Sequence, residues 1–357
     1  MKDFTFPVFK TKVDGATQTF ALEDPVERRK YFDLKVGSEI EKLRAYLREG
    51  TFVAFLLGPK NSGKGTYSKL FAEALGGDRT AHISVGDIVR DVHKSFENEG
   101  EKKELMEYLE SRYRGLMPLS DAIDALLGRS TKNLLPTELI LALVEREITK
   151  AGKKALFIDG FPRSLDQISY SLYFRTLMGY RDDPDFFVFI DVPETIINER
   201  MKGRVICPIC HVPRHPLLLK TKEVDYDETT KEFYLKCDNP SCNGARMVAK
   251  EGDDLGIEAI RDRIEVDREV MRMLLKLEGV LKIYLRNAVP VSEAKEKIDT
   301  YEITPEYRYS YDADKKKTIT TEEPWVVPDE EGIPSHSLLP GAMVASLIRQ
   351  VAEALKL

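Results

Sequence analysis

The sequence predicts an α/β fold in which a parallel sheet carries helices on both faces, the doubly wound arrangement. Three short apolar runs support this prediction, at 51–57, 155–158 and 186–190. Runs that are apolar at nearly every position indicate strands buried on both faces, as in parallel sheets. Helical periodicity follows these strands, for example at 138–150, so each connection is expected to cross over to a parallel neighbour.

The composition is that of a globular protein with more than one structural unit. Its 357 residues are 42% hydrophobic and 32% charged. The net charge of −6 gives no general attraction for nucleic acid or anionic lipid. No apolar stretch approaches the roughly 20 residues that span a bilayer, and the N-terminus lacks signal-peptide features. We therefore expect a cytoplasmic protein with no membrane or nucleic-acid partner.

The first 50 residues carry local signals of their own. A turn at Asp14-Gly15 between two β-like runs predicts a hairpin. Asp24 followed by Pro25 is typical of a helix N-terminus. A break at Gly37 predicts that a second helix starts after it. This region is interpreted as an N-terminal extension.

A glycine-rich loop between the first strand and its helix has the clearest chemistry. It reads Gly58-Pro59-Lys60-Asn61-Ser62-Gly63-Lys64-Gly65-Thr66. Backbone N–H groups at a helix N-terminus attract phosphate, and glycines let the phosphate approach closely. Lys64 supplies a mobile positive charge for the β- and γ-phosphates. The alternative, a turn without a ligand, is disfavoured by the strand–loop–helix context.

Two further motifs follow predicted strands. Asp159-Gly160-Phe161-Pro162-Arg163 has Gln167 four residues after it, and an earlier segment reads SVGDIVR at 84–90. An aspartate at the carboxyl end of a parallel strand lies where such sheets bind ligands, and it can organise Mg²⁺ through water. Arg163 can hold a phosphate bidentately.

Together these motifs resemble the adenylate kinase family. Gly-Lys-Gly-Thr is characteristic of its phosphate loop, and the other two motifs are similar to its Asp-Gly-Phe-Pro-Arg and Ser-Thr-Gly-Asp-x-Leu-Arg signatures. The resemblance implies a P-loop core with mobile acceptor-binding and lid domains. It also implies transfer of the ATP γ-phosphate to a nucleoside monophosphate, as in ATP + AMP = 2 ADP, with Mg²⁺ accompanying ATP. A monomer is expected.

The resemblance implies three sets of site residues. The expected catalytic residues are Lys64, Arg90, Asp159, Arg163, Arg204, Arg261 and Arg263. The expected ATP-binding residues are Gly58, Asn61, Ser62, Gly63, Lys64, Gly65, Thr66 and Arg200, of which Arg200 would stack on the donor base. The expected AMP-binding residues are Val85, Gly86, Arg90, Leu134, Leu135, Gly160, Arg163 and Gln167.

Three positions depart from the family pattern. Val85 replaces a threonine, so one hydroxyl facing the base or sugar is lost. Glu251 occupies the place of a lid arginine and has Lys250 beside it. An extra residue before Arg261 and Arg263 leaves open which of these two faces the phosphates.

The four cysteines form one predicted metal site. Cys207-x2-Cys210 and Cys237-x4-Cys242 lie within 36 residues and are separated by 26 residues. Two such pairs are typical of a tetrahedral zinc site with a structural role. Disulfides or free thiols are the alternative. In the resembling family this position belongs to the lid, and four sulfurs leave no place for His211 or His215 as ligands.

These observations predict an order of units along the chain. They are an N-terminal extension (1–50), a core segment with the P-loop (51–90), an enlarged acceptor-binding insertion (91–145), a second core segment (146–204), a zinc-binding lid (205–252), a core helix (253–286), an extension of unknown role (287–338) and a C-terminal core helix (339–357). Residues 94–132 are expected to move with the acceptor; the alternative is an inert surface insertion.

Two other functions stay open at this point. A kinase of the same fold acting on UMP, CMP or another monophosphate would keep every phosphate-binding residue. A non-catalytic nucleotide sensor or a zinc-ribbon nucleic-acid-binding module is more distant. Such a module needs clustered basic residues near the cysteines, whereas the segment between the cysteine pairs contains Glu223, Asp225, Asp227, Glu228 and Glu232.

Overall fold

The structure is a computed structural model that describes residues 4, 6–7, 10–128, 136–169 and 182–357. Its helices are α1 (Pro25–Tyr46), α2 (Lys64–Leu75), α3 (Val85–Ser95), α4 (Glu99–Arg112), α5 (Leu119–Leu127), α6 (Thr137–Ala151), α7 (Leu165–Ser169), α8 (Glu194–Lys202), α9 (Arg261–Leu275), α10 (Val291–Lys297) and α11 (Pro340–Ala354). Its strands are β1 (Val53–Leu57), β2 (Thr80–Ser84), β3 (Ala155–Asp159), β4 (Asp185–Asp191), β5 (Val205–Ile206), β6 (Pro213–Arg214), β7 (Val224–Asp227), β8 (Glu232–Leu235), β9 (Val248–Ala249), β10 (Leu281–Arg286), β11 (Val289–Pro290), β12 (Pro305–Asp312), β13 (Lys317–Pro324), β14 (Val327–Pro328) and β15 (Pro334–His336).

A five-stranded parallel sheet forms the centre, in the order β10-β4-β1-β3-β2. Alternate residues of β1 face opposite sides. Phe52, Ala54 and Leu56 enter one apolar cluster, and Val53, Phe55 and Leu57 enter the other. The predicted α/β fold is confirmed.

The edge strand β10 differs from the sequence prediction. It lies within residues 253–286, which were expected to form a core helix, and the helix α9 occupies only part of that range. In β10 only Ile283 and Leu285 are buried, and the alternating residues Lys282, Tyr284 and Arg286 are partly exposed. Such an alternating edge strand lacks the continuous apolar run by which the inner strands were found.

Both chain ends pack on one face of the sheet. The helix α1 begins at Pro25, where the Asp24 side chain accepts hydrogen bonds from Val26 N and Glu27 N. Its backbone leaves the helical conformation at Val36 (φ −148°, ψ 26°), where two helical segments meet at a kink, so a second helical segment follows the break predicted at Gly37. The helices α1 and α11 contact each other and α2.

The predicted N-terminal hairpin is not formed in the described residues. A turn is present at Asp14-Gly15, and Ala16 N donates to Val13 O over 3.2 Å. No described residue from 10 to 21 belongs to a strand. Thr11 N and Lys12 N both donate to Lys297 O instead, so this segment pairs with the C-terminal part of the chain.

Three other regions surround the sheet. The helices α4 and α5 cover α3 and α6 on the opposite face, where Leu105, Leu109 and Leu126 are buried. The strands β5, β6 and β9 form a small sheet beside the hairpin β7–β8. A longer hairpin, β12–β13, packs on β7. Within the described residues, no helix is long and apolar enough to cross a membrane.

Candidate active site

The glycine-rich loop joins β1 to α2 with the conformation that a phosphate loop requires. Gly63 has φ +100°, a left-handed value that favours glycine. A Cβ at Gly58 would lie 2.7 Å from the Ile190 carbonyl oxygen, which leaves no room for a side chain. The loop backbone therefore passes close to the end of β4 and leads directly into the α2 N-terminus.

Lys64 is held at this loop by carbonyl groups. Its Nζ donates to Gly58 O (2.8 Å) and Pro59 O (3.0 Å) and lies 3.8 Å from Asp159 Oδ1. Burial lowers the pKa of Lys64, while Asp159 and Asp267 oppose this effect. Among the described residues, the Lys64 ammonium group therefore contacts two neutral carbonyl oxygens and one carboxylate, that of Asp159.

A pocket at the carboxyl ends of β1 and β3 brings together residues that are far apart in the sequence. Its charged lining residues are Lys64, Asp159, Arg163, Arg263 and Asp267. Burial, and then the charge of Arg263, lower the pKa of Arg163. Three cations facing two carboxylates make a site for a polyanion, with carboxylates that could hold Mg²⁺ through water.

Asp267 was missed by sequence reasoning. Burial raises its pKa, although the charges of Lys64, Arg263 and Arg163 oppose the rise. It lies four residues after Arg263, whose Nε is 4.0 Å from its Oδ2. The i,i+4 spacing on a helix after a candidate arginine was the available signal.

A second group of cations lies on the lid side of the loop. Burial lowers the pKa of Lys60, and the charges of Arg263, Lys250 and Arg204 lower it further. Arg204 binds Asp253 through Nε (2.5 Å) and Nη2 (2.8 Å), and its Nη1 is 3.4 Å from Asn61 Oδ1. Lys250, beside the position where the family pattern has an arginine, therefore contributes positive charge at the loop.

Two polar atoms of the loop are buried without a hydrogen-bond partner in the described residues. Asn61 Nδ2 and Ser62 Oγ make no hydrogen bond within the described residues. An unsatisfied buried polar group is costly. Both atoms belong to the segment expected to surround phosphates, so a bound nucleotide with Mg²⁺ fits the donors that this loop offers.

Two of the predicted catalytic arginines lie outside both the pocket and the second group of cations. Arg90 is exposed and paired with Asp87 on the same helix. Arg261 is paired with Glu258 and lies 3.6 Å from Glu194, and the hydrogen bond that it donates to Glu258 raises its pKa. Arg263, and not Arg261, is therefore the arginine that the structure brings to Lys64 and Arg163.

Adenylate kinases of two bacteria align with this chain over most of their own length. A family model described as an AAA domain matches residues 57–205, from the phosphate loop to the first lid strand. The adenylate kinase of Thermotoga petrophila is 30% identical over 230 residues, and that of Clostridium novyi is 33% identical over 225 residues. These alignments cover 63% and 61% of this chain, and 86% and 83% of the two relatives.

The chain belongs to the adenylate kinase family. It is therefore a P-loop phosphotransferase with nucleoside monophosphate kinase activity, and its substrates are ATP and a nucleoside monophosphate. Kinases of this type use Mg²⁺ with ATP.

The acceptor is expected next to Arg163, and two features of that region bear on how its base would be selected. Val85 is buried. A Cβ added at Gly160 would lie 3.4 Å from the Val85 Cβ, so the Val85 side chain packs on the Asp159-Gly160 turn. Gln167 is 4% exposed, and its Oε1 accepts a hydrogen bond from Arg163 N over 2.6 Å. The oxygen expected to read the base is thus engaged by the backbone. Leu134 and Leu135, which the resemblance implies as AMP-binding residues, lie outside the described residues.

The segment 205–252, which is expected to form the lid, contains the four cysteines in one cluster. Their sulfur atoms all lie within 4.8 Å of one another, and Cys210 Sγ is 3.6 Å from Cys237 Sγ. Tetrahedral zinc with Zn–S bonds near 2.3 Å requires sulfur separations of about 3.8 Å. The thiols form no disulfide, and neither His211 nor His215 joins the cluster; His215 Nε2 lies 3.0 Å from Glu199 O. The cluster could bind zinc, as in long-lid adenylate kinases.

The lid hairpin is joined to the C-terminal extension by aromatic contacts. Tyr226 stacks on Tyr311 with ring centroids 4.3 Å apart, and Phe233 lies 5.6 Å from the Tyr309 ring. Tyr311 Oη donates to Glu228 Oε1 over 2.7 Å. The hairpin β12–β13 therefore packs on the hairpin β7–β8, within the segment expected to form the lid.

Proposed function

We propose that this adenylate kinase family member transfers the γ-phosphate of ATP to AMP, forming two ADP. The observation that carries the proposal is the convergence of Lys64, Arg163 and Arg263 at the end of the central sheet beside Asp159. The two curated relatives described above bear the name adenylate kinase. Their name supports AMP as the acceptor.

The chemistry requires electrostatic stabilisation more than proton transfer. The second pKa of a phosphate monoester is near 6, so the acceptor oxygen is already mostly ionised at neutral pH. The main barrier is the approach of two highly charged anions in line. Lys64 and Arg263 would neutralise the donor phosphates, and Arg163 would hold the acceptor phosphate in a fixed orientation. Asp159 and Asp267 would hold Mg²⁺, which supplies further neutralisation of phosphate charge when bound.

Closure of the site would complete this arrangement. Arg90 is exposed on α3 and would join Arg163 when the acceptor-binding region, at 91–145, moves towards the core. Arg204 and Lys250 would approach the phosphates when the lid, at 205–252, closes. Closure also excludes water, which would otherwise compete as the phosphate acceptor. Zinc at the four cysteines would keep the lid folded and take no part in the transfer.

A second candidate acceptor, UMP or CMP, is favoured by two observations. Val85 lacks the hydroxyl of the family pattern, and Gln167 Oε1 is occupied by Arg163 N. Base selection in this chain therefore depends on fewer free polar atoms than in the family pattern. Every phosphate-binding residue would serve either acceptor equally.

A coupled nucleotide assay tests the proposal. The wild-type protein with MgATP is compared on AMP, UMP, CMP and GMP, and we expect the highest kcat/KM with AMP. Gln167→Ala removes the carboxamide that is expected to read the base and also the acceptor of Arg163 N, so its effect is read as the ratio of kcat/KM for AMP to kcat/KM for the other three acceptors. A higher kcat/KM for UMP or CMP would assign the chain to the second candidate. Absence of transfer to all four would refute both.

A further inference from the structure

Arg200 is contacted by a segment that comes from the far end of the chain. It lies on α8, and its Nη2 donates to Ser337 Oγ over 2.8 Å. Among the described residues this is the one hydrogen bond that its side chain makes. Burial lowers the pKa of Arg200, and the residue is only partly exposed to solvent. Ser337 is fully buried directly after β15, in the extension whose role the sequence left unknown.

The hydrogen-bond directions around Ser337 are determined by its neighbours. Leu338 N donates to Asn287 Oδ1 over 2.7 Å, so this end of the Asn287 amide is the oxygen. Its Nδ2 donates to Tyr67 Oη over 3.0 Å. Ser337 Oγ must therefore give its proton to Asn287 Oδ1 (3.1 Å), which leaves its lone pairs for Arg200.

The result is a buried chain of polar groups that begins beside the phosphate loop. Tyr67 follows Thr66 directly, on the first turn of α2, and its hydroxyl is linked through Asn287 and Ser337 to Arg200. Tyr67, Asn287 and Ser337 are each at most 2% exposed. Buried side chains linked by hydrogen bonds in this way hold one another in a fixed geometry. The Arg200 side chain is thus oriented before any ligand arrives.

We propose that Ser337 is a positioning residue for the donor nucleotide, acting through Arg200. The proposal rests on the proposed function and on the role that the family resemblance implies for Arg200, which is to stack on the donor base. A long arginine side chain loses rotamer freedom when it binds a ligand, and a partner that restrains it beforehand lowers this cost. The ligand is a nucleoside triphosphate, whose planar base meets the face of the guanidinium group. The C-terminal extension is therefore part of the donor site.

The test measures MgATP binding by titration calorimetry and, separately, KM for ATP and for AMP. Ser337→Ala removes the acceptor of Arg200. Ser335→Ala is the matched control, because Ser335 is equally buried in the same segment but its Oγ donates to Ile333 O. We expect Ser337→Ala to weaken MgATP binding and raise KM for ATP about five- to tenfold. KM for AMP is expected to remain within twofold of wild type.

A double-mutant cycle with Arg200→Ala shows whether the effect passes through the arginine. We expect Ser337→Ala to have no further effect on MgATP binding in the Arg200→Ala background. Ser337→Cys, which nearly keeps the side-chain volume, replaces Ser337→Ala in the cycle if the alanine variant does not fold.

Three results would overturn the proposal. They are equal MgATP affinities for Ser337→Ala and Ser335→Ala, an undiminished effect of Ser337→Ala in the Arg200→Ala background, and wild-type MgATP affinity in Arg200→Ala itself. The binding measurement needs no acceptor. Absence of phosphate transfer to every monophosphate would therefore refute the proposed function without deciding the role of Ser337.

Discussion

Glu302→Ala is expected to lower the stability of the whole protein, because this carboxylate joins the two ends of the chain. Glu302 is fully buried. It accepts hydrogen bonds from Tyr31 Oη (2.5 Å), Thr11 Oγ1 (2.7 Å) and Asp299 N (2.7 Å). Burial, together with the negative charge of Glu302, raises the pKa of Tyr31. The tyrosine therefore stays a neutral donor at physiological pH.

The size of the effect follows from these three bonds. Each buried donor that loses its acceptor costs roughly 1–3 kcal/mol. Lys35 Nζ, 3.6 Å from Glu302 Oε1, keeps Asp299 Oδ2 at 2.6 Å, so its charge stays paired. Partial relaxation brings the expected loss to about 4 kcal/mol. With an unfolding entropy near 2.1 cal/mol/K per residue, this loss lowers Tm by about 5 °C.

Differential scanning calorimetry measures this change. Glu323→Ala is the control, because Glu323 is exposed and, in the part of the chain that the structure describes, paired only with Arg308, and surface pairs contribute at most about 1 kcal/mol. Glu302→Gln keeps the shape and one acceptor oxygen, so an intermediate Tm is expected. If Glu302→Ala melts within 1 °C of Glu323→Ala, the two chain ends are not coupled to the core through this network and the reasoning fails.

Four further predictions concern the site, the metal, the lid and acid stability. Arg163→Ala is expected to lower kcat at least 100-fold in the coupled assay with Tm within 2 °C of wild type, because it removes the acceptor clamp; near-normal turnover would show that the clamp lies elsewhere. Elemental analysis of protein purified without chelator is expected to find one zinc per chain. Cys242→Ser is expected to lower Tm clearly while activity at low temperature falls less, because the metal has a structural role. Protein that contains no zinc and keeps its normal Tm would refute the zinc site. Tyr311→Ala removes a ring and a hydroxyl that support the lid hairpin, so hydrogen exchange in β7 and β8 is expected to rise about tenfold; unchanged exchange would mean that the extension does not support the lid. Burial raises the pKa of Glu330, but hydrogen bonds and charge from Arg286 outweigh it and bring the pKa to about 2. The contribution of the ionised Glu330 carboxylate to the free energy of unfolding is therefore complete above pH 4.5 and is lost as the pH falls from 4.5 towards 2. Curves of Tm against pH that run parallel for wild type and Glu330→Gln over this range would contradict the prediction.

Some features could be predicted from the sequence because their chemistry depends on neighbours in the chain. The phosphate loop needs glycines and Lys64 at fixed offsets between a strand and a helix, and those offsets are visible in the sequence. The cysteine pairs are similar, since each pair presents two thiolates from one short turn. The inner strands were predictable because burial on both faces leaves a continuous apolar run.

Which of Arg261 and Arg263 lies in the pocket could be decided only once the position of α9 against the sheet was known. Two residues apart on a helix are separated by about 200°, so the two side chains leave nearly opposite faces. Which face meets the phosphate loop depends on how α9 packs against the sheet. The same packing brings Asp267, on the face of Arg263, to the pocket.

By itself the sequence determined the family, the α/β core, the phosphate loop and the four-cysteine cluster, all of which depend on residue types at short, fixed spacings. Only the tertiary structure decided what the chain ends do. The hydrogen bond between Arg200 and Ser337 spans 137 residues, and that between Thr11 and Glu302 spans 291. No local pattern encodes such pairs, because they form only when separate segments bury their polar groups against each other and must satisfy them there.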